Sequence, residues 1–225
     1  MIRLLTLLLF WLVVFYGSAS TLNLLEQDYT DVTPNVNYYI DSSNNISFDD
    51  AINLYEYGKF LPSNSETCLN LGALIEPVWV SFDIYSETHL NKVLHLKCPY
   101  LYYVDLYIKK NGEWITYTPT GKKKPLKDRG KFIARNFAWL LDIDHNESMT
   151  ILMRVQSNAP TLIPLSLESE EFYLKNRTKA ELLYGIYFGC LLVMMLYNLV
   201  LYFNLREKTY LYLSLIHISE PTRQE

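Results

Sequence analysis

The chain has 225 residues, of which 50% are hydrophobic and 15% aromatic, and its 20 basic and 24 acidic residues leave a formal net charge of −4. That length allows one ordinary domain with additional segments. The charge balance excludes the strongly basic composition typical of nucleic-acid-binding proteins, so we expect no nucleic-acid partner.

The N-terminus has the three parts of a secretory signal peptide. Arg3 supplies a positive charge, an apolar run follows as far as Tyr16, and small residues up to Ser20 offer a cleavage site. The apolar run is shorter than the about 20 residues that span a bilayer, and an uncleaved anchor is the alternative. We predict a signal peptide over residues 1–20 and an exported domain over residues 21–178.

Short strands dominate the predicted exported domain. In PVWVSFDIYS, apolar residues alternate from Val78 to Ile84, which is the period of a half-buried strand. Asn111-Gly112 suits the positive φ angles of a type I′ turn, so YYVDLYIKKNGEWITYT predicts a hairpin. Further strands are KVLHLK, RNFAWLLDI, MTILMRVQS and PTLIPLSL, and Pro164 interrupts the last as in an edge strand or bulge. The pattern favours an all-β antiparallel sandwich or barrel.

Two segments of this domain lack the strand pattern. SFDDAINLYEYG predicts a short helix with Ser47 as its N-cap. The basic run GKKKPLKDRGK, residues 121–131, predicts a solvated loop between strands, with a site for an acidic ligand or lipid headgroup as the alternative.

Two cysteines fall in the exported domain, where disulfides persist. A bond between Cys68 and Cys98 would stabilise the fold by roughly 3.5 kcal/mol on the chain-entropy account. Two separate buried thiols are an equal alternative. Neither cysteine has the spacing of a metal or redox motif, so we expect no metal site and no cofactor.

A membrane-spanning helix is predicted over residues 181–204, because no charged residue occurs from Leu182 to Phe203. Gly185 and Gly189 share one helix face and allow close approach by another helix. The amide of Asn198 cannot be satisfied by lipid and is expected to face protein. We therefore expect packing in a bundle, with membrane lipid as a further partner.

The C-terminus has an unusual pattern. Residues 205–212 predict a cytoplasmic loop and the beginning of a second membrane helix. LSLIHISEPTR, residues 213–223, resembles the translated read-through of a sequencing-library adapter. We expect the natural sequence to diverge at about Tyr212 and residues 213–225 to be an artefact.

Between about residues 36 and 212 the chain resembles bacterial seven-transmembrane receptors with diverse intracellular signalling modules, in particular those with the second type of extracellular sensor domain. The sensor pattern is carried by CLNLGALIEPVWVSFDI, YLYYVDLYI, ARNFAWLLDI and MRVQSNAPTLIPLSL. The membrane pattern is carried by LLYGIYFGCLLVMMLYNLVLYFNLREKTYLY. The order and spacing of these segments carry the resemblance.

The resemblance implies a jelly-roll-like β-sandwich outside the bacterial cytoplasmic membrane. It also implies a small-molecule ligand, with carbohydrate as the leading class, and seven membrane helices followed by a cytoplasmic output module. We expect the other six helices and the output module to belong to the full-length protein. Its partners would therefore be the ligand, lipid, the other helices and the output module. Ligand binding must favour one arrangement of the sensor to pass a signal.

Aromatic and planar polar side chains are the groups that a carbohydrate site uses. The candidates are Trp114, Tyr103, Tyr107, Arg135 and Asn136, and core packing or strand-surface pairing is the alternative for each. Arg135 also matches a family position, as does Arg154.

Two other functions compete with a receptor. An exported glycosidase could use Asp83, Asp105 or Asp142, but the sequence has no nucleophile elbow or HExxH motif, and we predict no enzyme. A membrane-tethered binding or adhesive module would need only one membrane helix.

Overall fold

The computed structural model describes residues 21–125, 127, 132 and 134–206. The predicted signal peptide, the segment from residue 207 onward and part of the basic run 121–131 therefore lie outside the described residues. The chain divides into two compact units between Phe172 and Tyr173.

The first unit is built from strands. Within the described residues these are β1 Leu22–Leu24, β2 Tyr29–Asp31, β3 Asn37–Ile40, β4 Leu61–Pro62, β5 Leu69–Ala73, β6 Val78–Ser86, β7 Leu90–Leu96, β8 Tyr103–Lys110, β9 Glu113–Thr116, β10 Phe137–Ile143, β11 Glu147–Gln156, β12 Pro160–Ile163 and β13 Leu165–Ser169. A 3₁₀ turn spans Thr33–Asn35, and the helix α1 spans Phe48–Glu56.

The strands form two principal sheets. The larger has the order β4-β3-β6-β11-β8-β9, with β1 added in parallel to β6, and the smaller has the order β10-β7-β13-β2. A separate pair joins β12 to β5. Apart from β1, all pairs are antiparallel, and the inward faces of both sheets contribute to one hydrophobic core. The expected all-β sandwich is thus confirmed, and it is not a closed barrel.

The hairpin predicted at Asn111-Gly112 is present between β8 and β9. Both turn residues have positive φ, 53° and 85°, and Lys110 lies opposite Glu113 in the ladder. Asparagine and glycine are the residues that adopt this backbone region at least cost. The pair Asn111-Gly112 was therefore sufficient to predict this hairpin.

The helix α1 covers the outward face of the larger sheet. Ser47 caps it as predicted, accepting from the amide of Asp50, whose carboxylate accepts from Ser47 in return. Ala51 packs with Trp79 and Leu152. Trp79 is consequently buried although it alternates with the inward residues of β6, so this strand is buried on both faces rather than half-buried.

Pro164 separates two strands that belong to different sheets. The residues before Pro164 form β12 and pair with β5. The residues after it form β13, which lies between β7 and β2. Proline has no amide hydrogen to donate to a ladder, so the pairing changes at this residue. The interruption predicted at Pro164 is therefore present, and it separates two strands of different sheets.

The helix α2 spans Glu170–Leu205 and starts directly after β13. It is long and apolar enough to cross a membrane. It begins at Glu170, well before residue 181, so the charged end of the predicted exported domain is helical. Asn198 is only 8% exposed, while a Cβ added at Gly185 or Gly189 would meet nothing within 4 Å. Bundle packing through these residues stays a prediction.

Candidate ligand-binding site

A polar cluster lies on the outward face of the smaller sheet. Antiparallel pairing places Ser166 opposite His95, and Glu168 lies two residues further along β13 on the same face as Ser166. The intervening Leu167 and its neighbour Leu94 point into the core. Because side chains alternate across a strand, this buried register forces the polar side chains onto the other face.

The centre of the cluster is the carboxylate of Glu168, whose side chain is 3% exposed. Its Oε1 lies 2.9 Å from Nζ of Lys97 and 3.2 Å from Nδ1 of His95, and it accepts a 2.9 Å hydrogen bond from Ser166 Oγ. Burial raises the pKa of Glu168, but the hydrogen bonds from His95 and Lys97 outweigh this effect and lower the pKa to about 2. The site therefore holds a buried negative charge at neutral pH.

Asn136 fixes the orientation of the imidazole. Its Nδ2 lies 3.2 Å from Nε2 of His95, on the opposite side of the ring from Glu168. If the amide donates to Nε2, the neutral ring carries its hydrogen on Nδ1 and donates to the carboxylate. The order Asn136–His95–Glu168 is thus a polar chain that crosses three neighbouring strands.

Aromatic rings border the cluster. Nζ of Lys97 lies 4.6 Å from the ring centre of Tyr29, which is opposite Glu168 in the ladder. Arg135 donates to the hydroxyl of Tyr100 at 3.3 Å. Both tyrosines are exposed, at 40% and 41%. Planar polar groups beside partly exposed aromatic rings are the combination that recognises a ligand with both hydroxyls and an apolar face.

The structure divides the candidate ligand residues between the two sheets. Asn136 contacts His95 in the polar cluster and Arg135 precedes it in the chain, whereas Tyr103, Tyr107 and Trp114 lie on strands of the larger sheet. The ring of Phe48 stacks on Tyr107 with centroids 4.2 Å apart and meets Trp114 edge-on at 5.4 Å. Core packing, the alternative for these two rings, therefore holds, since α1 covers them.

The sequence did not identify His95, Lys97 or Glu168. The first two are separated from Glu168 by more than seventy residues, and nothing in a single sequence shows which strands pair. The available signal was the alternation of polar and apolar residues in HLK and SLES, which marks positions that face outward.

Cys68 and Cys98 are free thiols in the structure. The two residues flank different ladders. Cys68 precedes β5, which pairs with β12, and Cys98 follows β7, which pairs with β13. Burial raises the pKa of both thiols. The Cys68 thiol also helps to raise the pKa of Cys98, so the two thiols lie near each other, and their pairing stays a prediction.

The carboxylates considered for a glycosidase have other partners. Asp83 accepts hydrogen bonds from Tyr55 and Thr150, and Asp105 lies 3.5 Å from Arg154. Asp142 is on the other sheet. These contacts give Asp83 and Asp105 structural roles.

The first turn of α2 directly follows the polar cluster in the sequence. Ser169 follows Glu168 and is the N-cap, because its Oγ accepts from the amide of Phe172 at 3.3 Å. The ring of Phe172 lies 6.1 Å from that of Tyr29. One residue therefore separates the buried carboxylate from the start of the helix.

The β-sandwich is followed without a loop by one helix that is long and apolar enough to cross a membrane. Residues 33–169 match a family described as 7TMR-DISM extracellular 2, and residues 180–219 match one described as 7TM diverse intracellular signalling. The first match covers more than half of the chain, which therefore belongs to the 7TMR-DISM extracellular 2 family. No curated protein matches significantly.

The resemblance seen in the sequence is thereby confirmed. The chain is a membrane receptor with an extracellular sensor domain followed by a region of the seven-transmembrane type.

Proposed function

We propose that the sensor domain binds a small polyhydroxylated molecule, with carbohydrate as the leading class, at the cluster around Glu168 and relays binding into α2. The observation that carries the proposal is the position of Glu168 two residues before Glu170, where α2 begins. A change at this carboxylate has no flexible loop to cross before it reaches the helix.

The chemistry of the cluster favours a ligand with hydroxyl groups. Sugar hydroxyls both donate and accept, and the cluster offers a donor in the partly exposed Lys97 and both a donor and an acceptor in the amide of Asn136. The exposed ring of Tyr29 offers a face for the apolar side of a sugar ring.

The relay follows from competition for existing partners. A ligand hydroxyl that hydrogen-bonds to Lys97 or His95 weakens their contacts with Glu168. Glu168 pairs with Tyr29 in the β13–β2 ladder, next to the start of α2. A ligand shifts an equilibrium only through different affinities for its states. Here the states would differ in the contacts of Glu168 and of the cap at Ser169. Further membrane helices, a cytoplasmic output module and a bacterial cytoplasmic membrane belong to the same proposal.

Binding is tested on the full chain in lipid nanodiscs. Neutral mono- and disaccharides are titrated by isothermal calorimetry against the wild type, Asn136→Ala and the control Asn53→Ala, whose asparagine is exposed on α1. We expect at least one sugar to bind, with affinity reduced by Asn136→Ala and unchanged by Asn53→Ala. Absence of sugar binding, or equal binding by both variants, would contradict the proposed site.

The relay is tested by amide hydrogen exchange in the first turns of α2. The bound sugar should change exchange there in the wild type. A variant with two glycines inserted after Ser169 should still bind but should show no change. A sugar that alters exchange equally in both proteins would refute transmission through the direct β13–α2 junction.

A further inference from the structure

A second group of polar side chains lies at the end of the smaller sheet where β13 terminates. His89 Nδ1 is 3.6 Å from Asp142 Oδ1 and 3.6 Å from Asp144 Oδ1, and all three ligand atoms lie within 4.8 Å of one another. The side chains are 56–63% exposed. This group was not identified from the sequence, because His89 is more than fifty residues away from Asp142 in β10 and from Asp144.

The backbone fixes the three side chains on one face. Leu90 pairs with Ile143 in the β7–β10 ladder and both are buried. Continuing that register by one residue places His89 opposite Asp144, and Asp142 lies two residues before Asp144 on the same face. The arrangement is therefore held by the sheet and does not depend on an ion for its assembly.

The distances suit a shared metal ion better than direct hydrogen bonds. A separation of 3.6 Å between nitrogen and oxygen is beyond a good hydrogen bond. Tetrahedral ligands at 2.0–2.2 Å from a zinc ion are themselves about 3.4 Å apart. Small side-chain adjustments would bring all three atoms into coordination.

Lys110 positions the carboxylate and partly balances its charge. Its Nζ lies 3.0 Å from Asp144 Oδ2, donates to the Asp142 carbonyl oxygen and is 3.2 Å from Glu147 Oε2. This contact occupies Oδ2 of Asp144 and leaves Oδ1 directed toward His89, an outer-shell role common at metal sites.

Negative charge still exceeds positive charge at the group. Asp142, Asp144 and Glu147 supply three carboxylates, against the single ammonium group of Lys110. Oε1 of Glu147 is buried and has no hydrogen-bond partner among the described residues. A divalent cation would neutralise the excess.

We propose that His89, Asp142 and Asp144 bind a divalent transition-metal ion, with zinc as the best fit. One imidazole with two carboxylates is a mixed nitrogen and oxygen set, which suits zinc and its first-row neighbours better than calcium or magnesium. Three protein ligands leave a position for water. Such an ion would join the β6–β7 turn to the β10–β11 turn, and the inference is independent of the proposed sugar site.

The test uses the full chain in detergent micelles with a purification tag that lacks histidine. Zinc chloride is titrated by calorimetry against the wild type, His89→Ala, Asp144→Asn and the control His145→Ala, which removes a neighbouring exposed histidine outside the group. We expect one zinc ion per chain, affinity reduced at least about tenfold in His89→Ala and Asp144→Asn, and unchanged affinity in His145→Ala. Far-UV circular dichroism should be the same for all four proteins.

Three results would overturn the proposal. They are no zinc binding by the wild type, an equal loss in His145→Ala, and calcium binding that matches that of zinc and is insensitive to His89→Ala. Should a ligand variant fail to fold, cobalt(II) added to the wild type decides the matter. Its visible spectrum must report bound cobalt, and protection of His89 from diethylpyrocarbonate must exceed that of His145.

Discussion

Ser169 donates two hydrogen bonds to Asp28, one from its amide to the backbone carbonyl oxygen and one from its hydroxyl to a carboxylate oxygen, each 2.8 Å long. The same hydroxyl accepts from the amide of Phe172 and so caps α2. A single side chain therefore ties the last strand, the segment before β2 and the first turn of the helix together.

Replacing Ser169 by alanine should loosen the start of α2. The substitution removes both the cap and the side-chain bond to Asp28, and loss of an N-cap costs about 1 kcal/mol. We expect faster amide exchange over residues 170–173 in the full chain. Ser169→Thr, which keeps the hydroxyl, and Ser148→Ala, on an exposed part of β11, should behave as the wild type. Unchanged exchange in Ser169→Ala would contradict this account of the cap.

The buried Glu168 should make stability depend on acid pH. Its pKa is about 2 in the folded chain against an ordinary value of 4.5. A lowered folded-state pKa contributes stability that is complete above the ordinary value and is lost as the pH falls from about 4.5 to about 2. The contribution is of the order of 3 kcal/mol.

The measurement compares denaturant unfolding, followed by tryptophan fluorescence, between pH 7 and pH 2.5. Glu168→Gln should lose less stability on acidification than the wild type, because its side chain does not titrate. Glu113→Gln changes an exposed residue and should retain the full pH dependence. Parallel pH curves for the wild type and Glu168→Gln would show that the ion pairs of Glu168 contribute nothing.

Local signals predicted the fold where one segment contained the whole interaction. The type I′ hairpin needs only Asn111 and Gly112, and the helix cap needs only Ser47 and the residues after it. The alternation in β6 also predicted its inward face. The burial of Trp79 could not be predicted from β6 alone, because it depends on α1 packing against the outward face of the sheet.

Sequence patterns failed to predict the structure where a residue's partners are distant in the chain. The change of sheet at Pro164 depends on β5 and β7, and neither is adjacent to it in sequence. The charged start of α2 has no apolar pattern from which a membrane helix could be predicted. The same limit applies to the candidate site. Asn136 was predicted from the chemistry of its side chain, whereas the contacts of Glu168 depend on which strands pair.

Tyr55 should contribute to stability by anchoring α1 on the larger sheet. Its hydroxyl donates to both oxygens of Asp83, at 2.8 and 2.7 Å, and burial followed by the contact with Asp83 strongly raises the pKa of Tyr55. Tyr55→Phe leaves Asp83 with the hydrogen bond from Thr150. We expect a loss of about 1–2 kcal/mol in the free energy of unfolding.

The matched control for that substitution is Tyr57→Phe, two residues further along, because Tyr57 is 77% exposed. It removes the same atom and should leave the free energy of unfolding unchanged. An equal loss in both variants, measured by denaturant unfolding of the full chain, would argue against a specific role for the Tyr55–Asp83 contact.

Gly121 should tolerate alanine less well than Gly112, although both have positive φ, 144° and 85°. A Cβ at Gly121 would overlap the backbone carbonyl of Tyr102, which cannot move easily because its amide donates to Gln156 and its oxygen accepts from Lys123. A Cβ at Gly112 would meet nothing within 4 Å.

The two alanine variants therefore separate backbone strain from steric overlap. Gly112→Ala carries only the cost of a left-handed conformation, about 1 kcal/mol. Gly121→Ala adds displacement of a pinned backbone, and we expect a loss of roughly 3 kcal/mol. Denaturant midpoints of the full chain measure both. An equal loss would mean that the segment after Thr120 shifts freely, and the bridge between Val104 and Thr120 would then not hold this segment against the sheet.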